Sequence, residues 1–170
     1  HRSQNRKDGS PFVIHPLAVA QIVAEELHLD SESIAAALLH DTIEDTDATH
    51  EDIARTFSPT IADIVEGVSK LTRVQAASKA EEQMENLRKM LLAMSKYIRV
   101  ILIKMADRLH NMRTMEYQTP EKQKQKSLET MEIYAPIAHR LGMQKMKWEL
   151  EDLSLKYLDP IGYQEIIDAL

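Results

Sequence analysis

The sequence predicts an all-α fold, a helical bundle in a single domain. Three observations carry that expectation. The 170 residues include only 4 Gly, and aromatics make up 5%, whereas strand proteins use more turn glycines and more aromatic residues. Nine Met, with many Ala, Leu, Glu and Lys, favour helix. Apolar residues recur at helical spacing along most of the chain, between recognisable start and stop signals.

The opening stretch, Arg6-Lys7-Asp8-Gly9-Ser10-Pro11, is a loop, because Gly and Pro punctuate it. Pro16 suits the first turn of a helix through Leu17, Ala20, Val23, Ala24 and Leu27. Asp30-Ser31 offers an N-cap for a second helix from Glu32 to about Asp41, with Ile34, Ala35, Leu38 and Leu39 giving it a wide apolar face. Thr42 to Ala48 is polar and reads as a loop or frayed turn. Thr49 with Asp52 has the form of a capping box for a short helix to about Phe57. Pro59 opens a helix that places Ile61, Ile64, Val65 and Val68 on one face. Thr72 to Lys79 has weak periodicity and reads as a mobile loop. Helices are expected over Ala80–Met94, over Ile98–Tyr117, and from Thr119-Pro120 to about Arg140 with a kink at Pro136. Gly142 ends that last helix, and Gln144–Tyr157 and Pro160–Leu170 complete the set.

Bulk properties narrow the function. Hydrophobic residues make up 44% and charged residues 28%, with a net charge of -6. That balance suits a globular protein with its own core, and it argues against general electrostatic binding to nucleic acid. An anionic substrate is compatible with it if local cations hold that substrate. No apolar run approaches the length of a membrane span, and no signal peptide is visible. The chain begins at His1 instead of Met and reads as a fragment. With no Cys, a metal site must use His and carboxylate, and a reducing, cytoplasmic setting is expected.

Four segments carry chemistry. His40-Asp41, at the end of an apolar helix, offers an imidazole nitrogen and a carboxylate to one cation. Helical spacing puts Glu44 and Asp45 at i+3 and i+4 from Asp41, and three crowded carboxylates are costly without a cation or protons. Taken alone, this is equally an acidic, solvated helix end. His15, just before Pro16, can complete a ligand set or serve as a capping or core histidine. In Lys104-Met105-Ala106-Asp107-Arg108-Leu109-His110-Asn111-Met112-Arg113-Thr114, helical spacing aligns Asp107, Asn111 and Thr114, while Met105, Leu109 and Met112 make a core face. Arg6-Lys7 can hold phosphates or be an ordinary exposed basic pair.

Together and in this order, these segments resemble the hydrolase domain of the RelA/SpoT family. The resemblance extends to Asn86–Leu91, Ile98–Lys104, Glu132–Gly142 and Lys147–Leu153, and covers essentially the whole chain. It implies an HD-domain helical bundle that binds one Mn2+ through His15, His40, Asp41 and Asp107. It implies that Glu44 and Asp45 are the catalytic acidic pair, that Arg6 and Lys7 line the nucleotide site, and that Asn111 and Thr114 contact the nucleotide. The implied reaction removes the 3′-pyrophosphate of ppGpp or pppGpp, giving GDP or GTP and pyrophosphate. Because His40-Asp41 and Glu44-Asp45 are both intact, the resemblance implies a competent hydrolase. Arg2, Ser3 and Asp8 depart from the usual opening loop but remove no expected ligand. A synthetase domain in cis is expected in the full-length protein. The alternatives are another HD nucleotide phosphohydrolase, and a module that senses the alarmone without cutting it.

Overall fold

In the computed structural model, residues 4–77 and 98–170 are described, and they fall into two compact units, one ending at Asp107 and one running from Arg108 to Leu170. Among the described residues every regular element is helical, apart from one isolated antiparallel bridge between Asn5 and Pro11. The all-α expectation therefore holds. None of these helices is long and apolar enough to cross a membrane.

The first unit is built on α1 (Ile14–Gln21), α2 (Ser31–Leu39), α3 (Thr42–Asp45), α4 (His50–Thr56), α5 (Pro59–Ala77) and residues 98–107 of α6 (Ile98–Arg113). Helix α2 packs on both α1 and α5, and α4 also packs on α5. Ala36 and Ala37 of α2 are fully buried, and their small side chains let the neighbouring backbones approach closely. Val19, Val23, Val65, Val68 and Leu71 fill the space between. Each such apolar side chain contributes roughly 1.5–3 kcal/mol by leaving water.

Local signals place the helix ends. Asp30 accepts a hydrogen bond from the Ser33 backbone N–H at 3.3 Å, and the Thr49–Asp52 capping box is formed in both directions. Thr42–Asp45, expected as a loop or frayed turn, is a helical turn: the Thr42 hydroxyl donates to the Leu39 carbonyl at 2.7 Å, and the Asp45 N–H reaches the Asp41 carbonyl at 2.9 Å. Two boundaries differ from expectation. Helix α5 continues through the expected loop as far as Ala77, with the Thr72 hydroxyl bonded to the Val68 carbonyl of the preceding turn. The first helix closes with a wide π turn, Ile22–Glu26, where the Leu27 N–H bonds the Ile22 carbonyl. The helix expected over Ala80–Met94 lies outside the described residues.

The second unit contains the end of α6, a 3-10 turn at Met115–Tyr117, α7 (Pro120–Glu129), a π turn at Thr130–Tyr134, α8 (Ala135–Arg140), α9 (Gln144–Leu158) and α10 (Pro160–Ala169). The helix expected from Pro120 to Arg140 is thus interrupted. Pro136 has no N–H to bond the preceding turn, so it sits at the start of α8, and the π turn absorbs the mismatch. Gly142, at φ 72°, ends α8 with the Gly142 N–H on His139 and the Met143 N–H on Ala138, the paired bonds of a left-handed helix stop. Helix α9 lies against α7, the π turn and α8, burying Met146 and Leu150.

Arg108 is buried in this second unit. Its Nη2 lies 3.2 Å from Glu129 Oε2, and its guanidinium sits 4.5 Å over the Tyr134 ring. Removing one partner of a buried pair strands the other charge. Arg108→Met is expected to destabilise the chain by about 3 kcal/mol, the low end of such losses because Lys126 Nζ remains 3.3 Å from Glu129. The urea midpoint should fall with an unchanged slope; an unchanged midpoint would show that this pair contributes no net stability.

Candidate metal centre

The cluster is assembled in the first unit from three helices. His15 comes from the first turn of α1, where Pro16 follows it and its own N–H bonds the Phe12 carbonyl at 3.0 Å. His40 and Asp41 stand at the junction of α2 and α3, and Asp107 comes from α6. His15 Nε2 is 2.8 Å from Asp107 Oδ1 and 3.8 Å from Asp41 Oδ2. His40 Nε2 is 3.1 Å from Asp41 Oδ2 and 3.6 Å from Asp107 Oδ1. One ligand atom from each of His15, His40 and Asp107 falls within 4.8 Å of the others, and all three residues are buried.

The donor set fits a divalent cation, and His40 is the reason. Its Nδ1 lies 2.6 Å from the Ala37 carbonyl oxygen, which can only accept, so Nδ1 carries the hydrogen. Nε2 is then left with a lone pair, in a residue 1% exposed, and it has no hydrogen-bond partner. A lone pair facing two carboxylates is repulsive unless a positive charge lies between them. Burial pushes the His40 imidazolium down, but Asp107 and Asp41 more than offset that and raise it to about 10. The ring thus takes up a proton where a metal would otherwise neutralise the cluster.

Asp107 is fixed from its other side. Burial disfavours its charge, yet Lys104, His15 and His40 hold it well below the usual carboxylate range. Lys104 Nζ lies 2.8 Å from Asp107 Oδ2 and 3.2 Å from the Thr72 hydroxyl on α5. Lys104 is itself only 7% exposed. The ammonium therefore occupies Oδ2 and leaves Oδ1 for the histidines, which orients the ligand from behind.

Glu44 and Asp45 follow one turn later on α3, open to solvent on one side. Partial burial raises both carboxyls above their ordinary values. For Glu44 the Ser69 hydroxyl opposes that rise, at 3.1 Å from Oε1. The Arg6–Ser10 loop is closed by backbone bonds between Arg6 and Ser10 at 2.8 Å and between Gly9 and Arg6 at 3.0 Å. It is tied to α3 by the Gln4 side-chain amide, which donates to the Asp45 carbonyl at 3.2 Å. Arg6 is half-buried there and Lys7 exposed.

Asn111 and Thr114 belong to the second unit. Asn111 is in α6, but the helix ends at Arg113, so Thr114 stands just beyond it and donates to the His110 carbonyl at 3.1 Å. Nothing in the sequence marks Ser69 or Thr72 for this site, and Lys104 stands there only as the first residue of the Asp107 segment. Lys104 alone had a local signal, three residues before Asp107 on one helix; the other two act only across the fold.

The chain is similar to known proteins. An HD-domain family model matches residues 1–144. The guanosine-3′,5′-bis(diphosphate) 3′-pyrophosphohydrolase of Haemophilus influenzae is 51% identical over 164 residues, 96% of this chain and 24% of that protein. A GTP pyrophosphokinase of Streptomyces coelicolor is 53% identical over 167 residues, 98% of this chain and 19% of that protein. The chain thus spans about a fifth to a quarter of the length of these curated relatives. A solved structure of a metazoan ortholog of SpoT, described as hydrolysing ppGpp, aligns at a TM-score of 0.58 and 27% identity, covering 97% of this chain and 88% of that one.

Proposed function

We propose that this chain, which belongs to the HD-domain family, hydrolyses the 3′-pyrophosphate of ppGpp or pppGpp with the help of a divalent cation, Mn2+ in the first instance. The observation that carries the reading is the buried meeting of His15, His40 and Asp107, with Asp41 beside them and the His40 lone pair unpaired. The resemblance to guanosine-3′,5′-bis(diphosphate) pyrophosphohydrolases at about half identity supplies the substrate class.

His15, His40, Asp41 and Asp107 hold the cation. When bound, it supplies Lewis acidity, lowering the pKa of a water molecule and offsetting phosphate charge. Glu44 takes the proton from the attacking water, with Asp45 beside it. The water oxygen bonds to the phosphorus carried on the 3′-oxygen. The bond between that phosphorus and the 3′-oxygen breaks, and the 3′-oxygen leaves on GDP or GTP, taking a proton from solvent while Glu44 returns its own to solvent. Arg6 and Lys7 offset charge on the departing pyrophosphate. Asn111 and Thr114 are assigned to the nucleotide by resemblance alone. A synthetase domain in the same polypeptide and a cytoplasmic setting belong to the same reading.

The test is pyrophosphate release from ppGpp by the metal-stripped chain, with and without added Mn2+, beside Asp107→Ala. Release that needs Mn2+ and is lost in the variant is the expected result. Bound nucleotide with no release would replace the reaction with a sensing role.

A further inference from the structure

We infer that Ser69 is a positioning residue for Glu44, the middle member of a directed relay from Arg73 through Ser69 to the carboxylate. The inference rests on the proposed reaction, in which Glu44 is the base.

Ser69 lies inside α5 and is 1% exposed, between the buried Val68 and the buried Leu71 further along. A hydroxyl in a helix interior usually bonds the carbonyl of its own preceding turn. This chain does so repeatedly: Thr72 bonds Val68, Thr130 bonds Lys126, and Ser154 bonds Leu150. Ser69 does not follow them. Its hydroxyl turns out of α5 and meets Glu44 Oε1 on α3 at 3.1 Å.

The direction of that bond is set from behind. Arg73 Nη2 lies 3.2 Å from Ser69 Oγ, and a guanidinium can only donate. Ser69 Oγ therefore accepts from Arg73, and its single hydrogen goes to Glu44. Oε1 becomes the anchored oxygen and Oε2 the one free to accept a proton. A base held in one orientation keeps the reacting geometry that a loose side chain loses. The charged groups facing Glu44 among the described residues are Asp41 from the junction before α3, Asp45 from α3 and Lys104 from α6, with Arg73 acting through Ser69.

The relay is tested in the metal-free chain by following the Glu44 carboxyl carbon through a pH titration by NMR, with Glu44→Gln to assign it. Ser69→Ala removes the hydroxyl and should move the midpoint up by about one pH unit, as loss of one hydrogen bond to a charged acceptor requires. Ser69→Thr keeps a hydroxyl and should stay at the wild-type midpoint. Arg73→Met leaves the hydroxyl free to rotate and should fall between. In pyrophosphate release, Ser69→Ala should lower kcat roughly tenfold with KM near wild type, and shift the acid limb of the kcat profile upward with the carboxyl. An unmoved midpoint in Ser69→Ala overturns the relay alone. No release by the wild-type chain overturns the reaction, and with it the role of Ser69 in that reaction.

Discussion

His40→Ala is expected to lower turnover of ppGpp by at least about a thousandfold while nucleotide affinity changes far less. The expectation follows from where His40 stands. Its Nδ1 is committed to the Ala37 carbonyl, so Nε2 is the only nitrogen it can give a cation, and it gives it from a buried position between Asp41 and Asp107. Losing that nitrogen removes one of the proposed ligands without touching Arg6 or Lys7. The charge stabilisation a bound cation lends to a phosphoryl transition state is several kcal/mol, which is about a thousandfold in rate. Calorimetry with Mn2+ and with a non-hydrolysable analogue of the nucleotide separates the two effects. Metal binding should fall with turnover, and nucleotide binding should not follow it. Parallel loss of turnover and nucleotide binding would mean that His40 holds the substrate or the fold rather than the cation.

The part of this centre that could be read in the sequence is the part whose signal is local. His40-Asp41 and Glu44-Asp45 are neighbours in the chain, and Asp30, the Thr49–Asp52 box and Gly142 act within a few residues of themselves. Helical spacing correctly put Met105, Leu109 and Met112 in the core. The less legible part depends on partners far away. Nothing near Ser69 announces Glu44, 25 residues earlier, and nothing near Thr72 announces Lys104, 32 residues later. The polar residues of Thr42–Asp45 read as a loop or frayed turn, and a helical turn accommodates Thr42 because its hydroxyl bonds a carbonyl of the preceding turn. The Thr72 hydroxyl is accommodated in α5 in the same way. Pro136 marks the interruption in the sequence, but the π turn that accommodates it uses Thr130–Tyr134, with no residue type to betray it.

Glu44→Gln should lower kcat by about a hundredfold to ten-thousandfold, the usual worth of a general base, with Mn2+ affinity retained. Glu44, more than Asp45, is the group to carry that role, because it alone of the pair is gripped by a buried hydroxyl at 3.1 Å. The pH dependence has a definite sign. A base must be ionised, and partial burial, with Asp41 and Asp45 adding to it, raises the Glu44 carboxyl above its ordinary value of 4.5. The rate should therefore be full above the raised value and fall as pH drops through it. In Glu44→Gln that acid limb should vanish. Asp45→Asn offers the opposite displacement to Ser69→Ala: it removes a negative charge that raises Glu44, so the limb should move to lower pH while most of the rate survives. If Asp45→Asn instead abolishes the limb and Glu44→Gln leaves it in place, the two carboxylates have exchanged roles. Asp45 would then be the base, its carboxyl raised by partial burial and Asp41 against the opposing pull of His40 and His15.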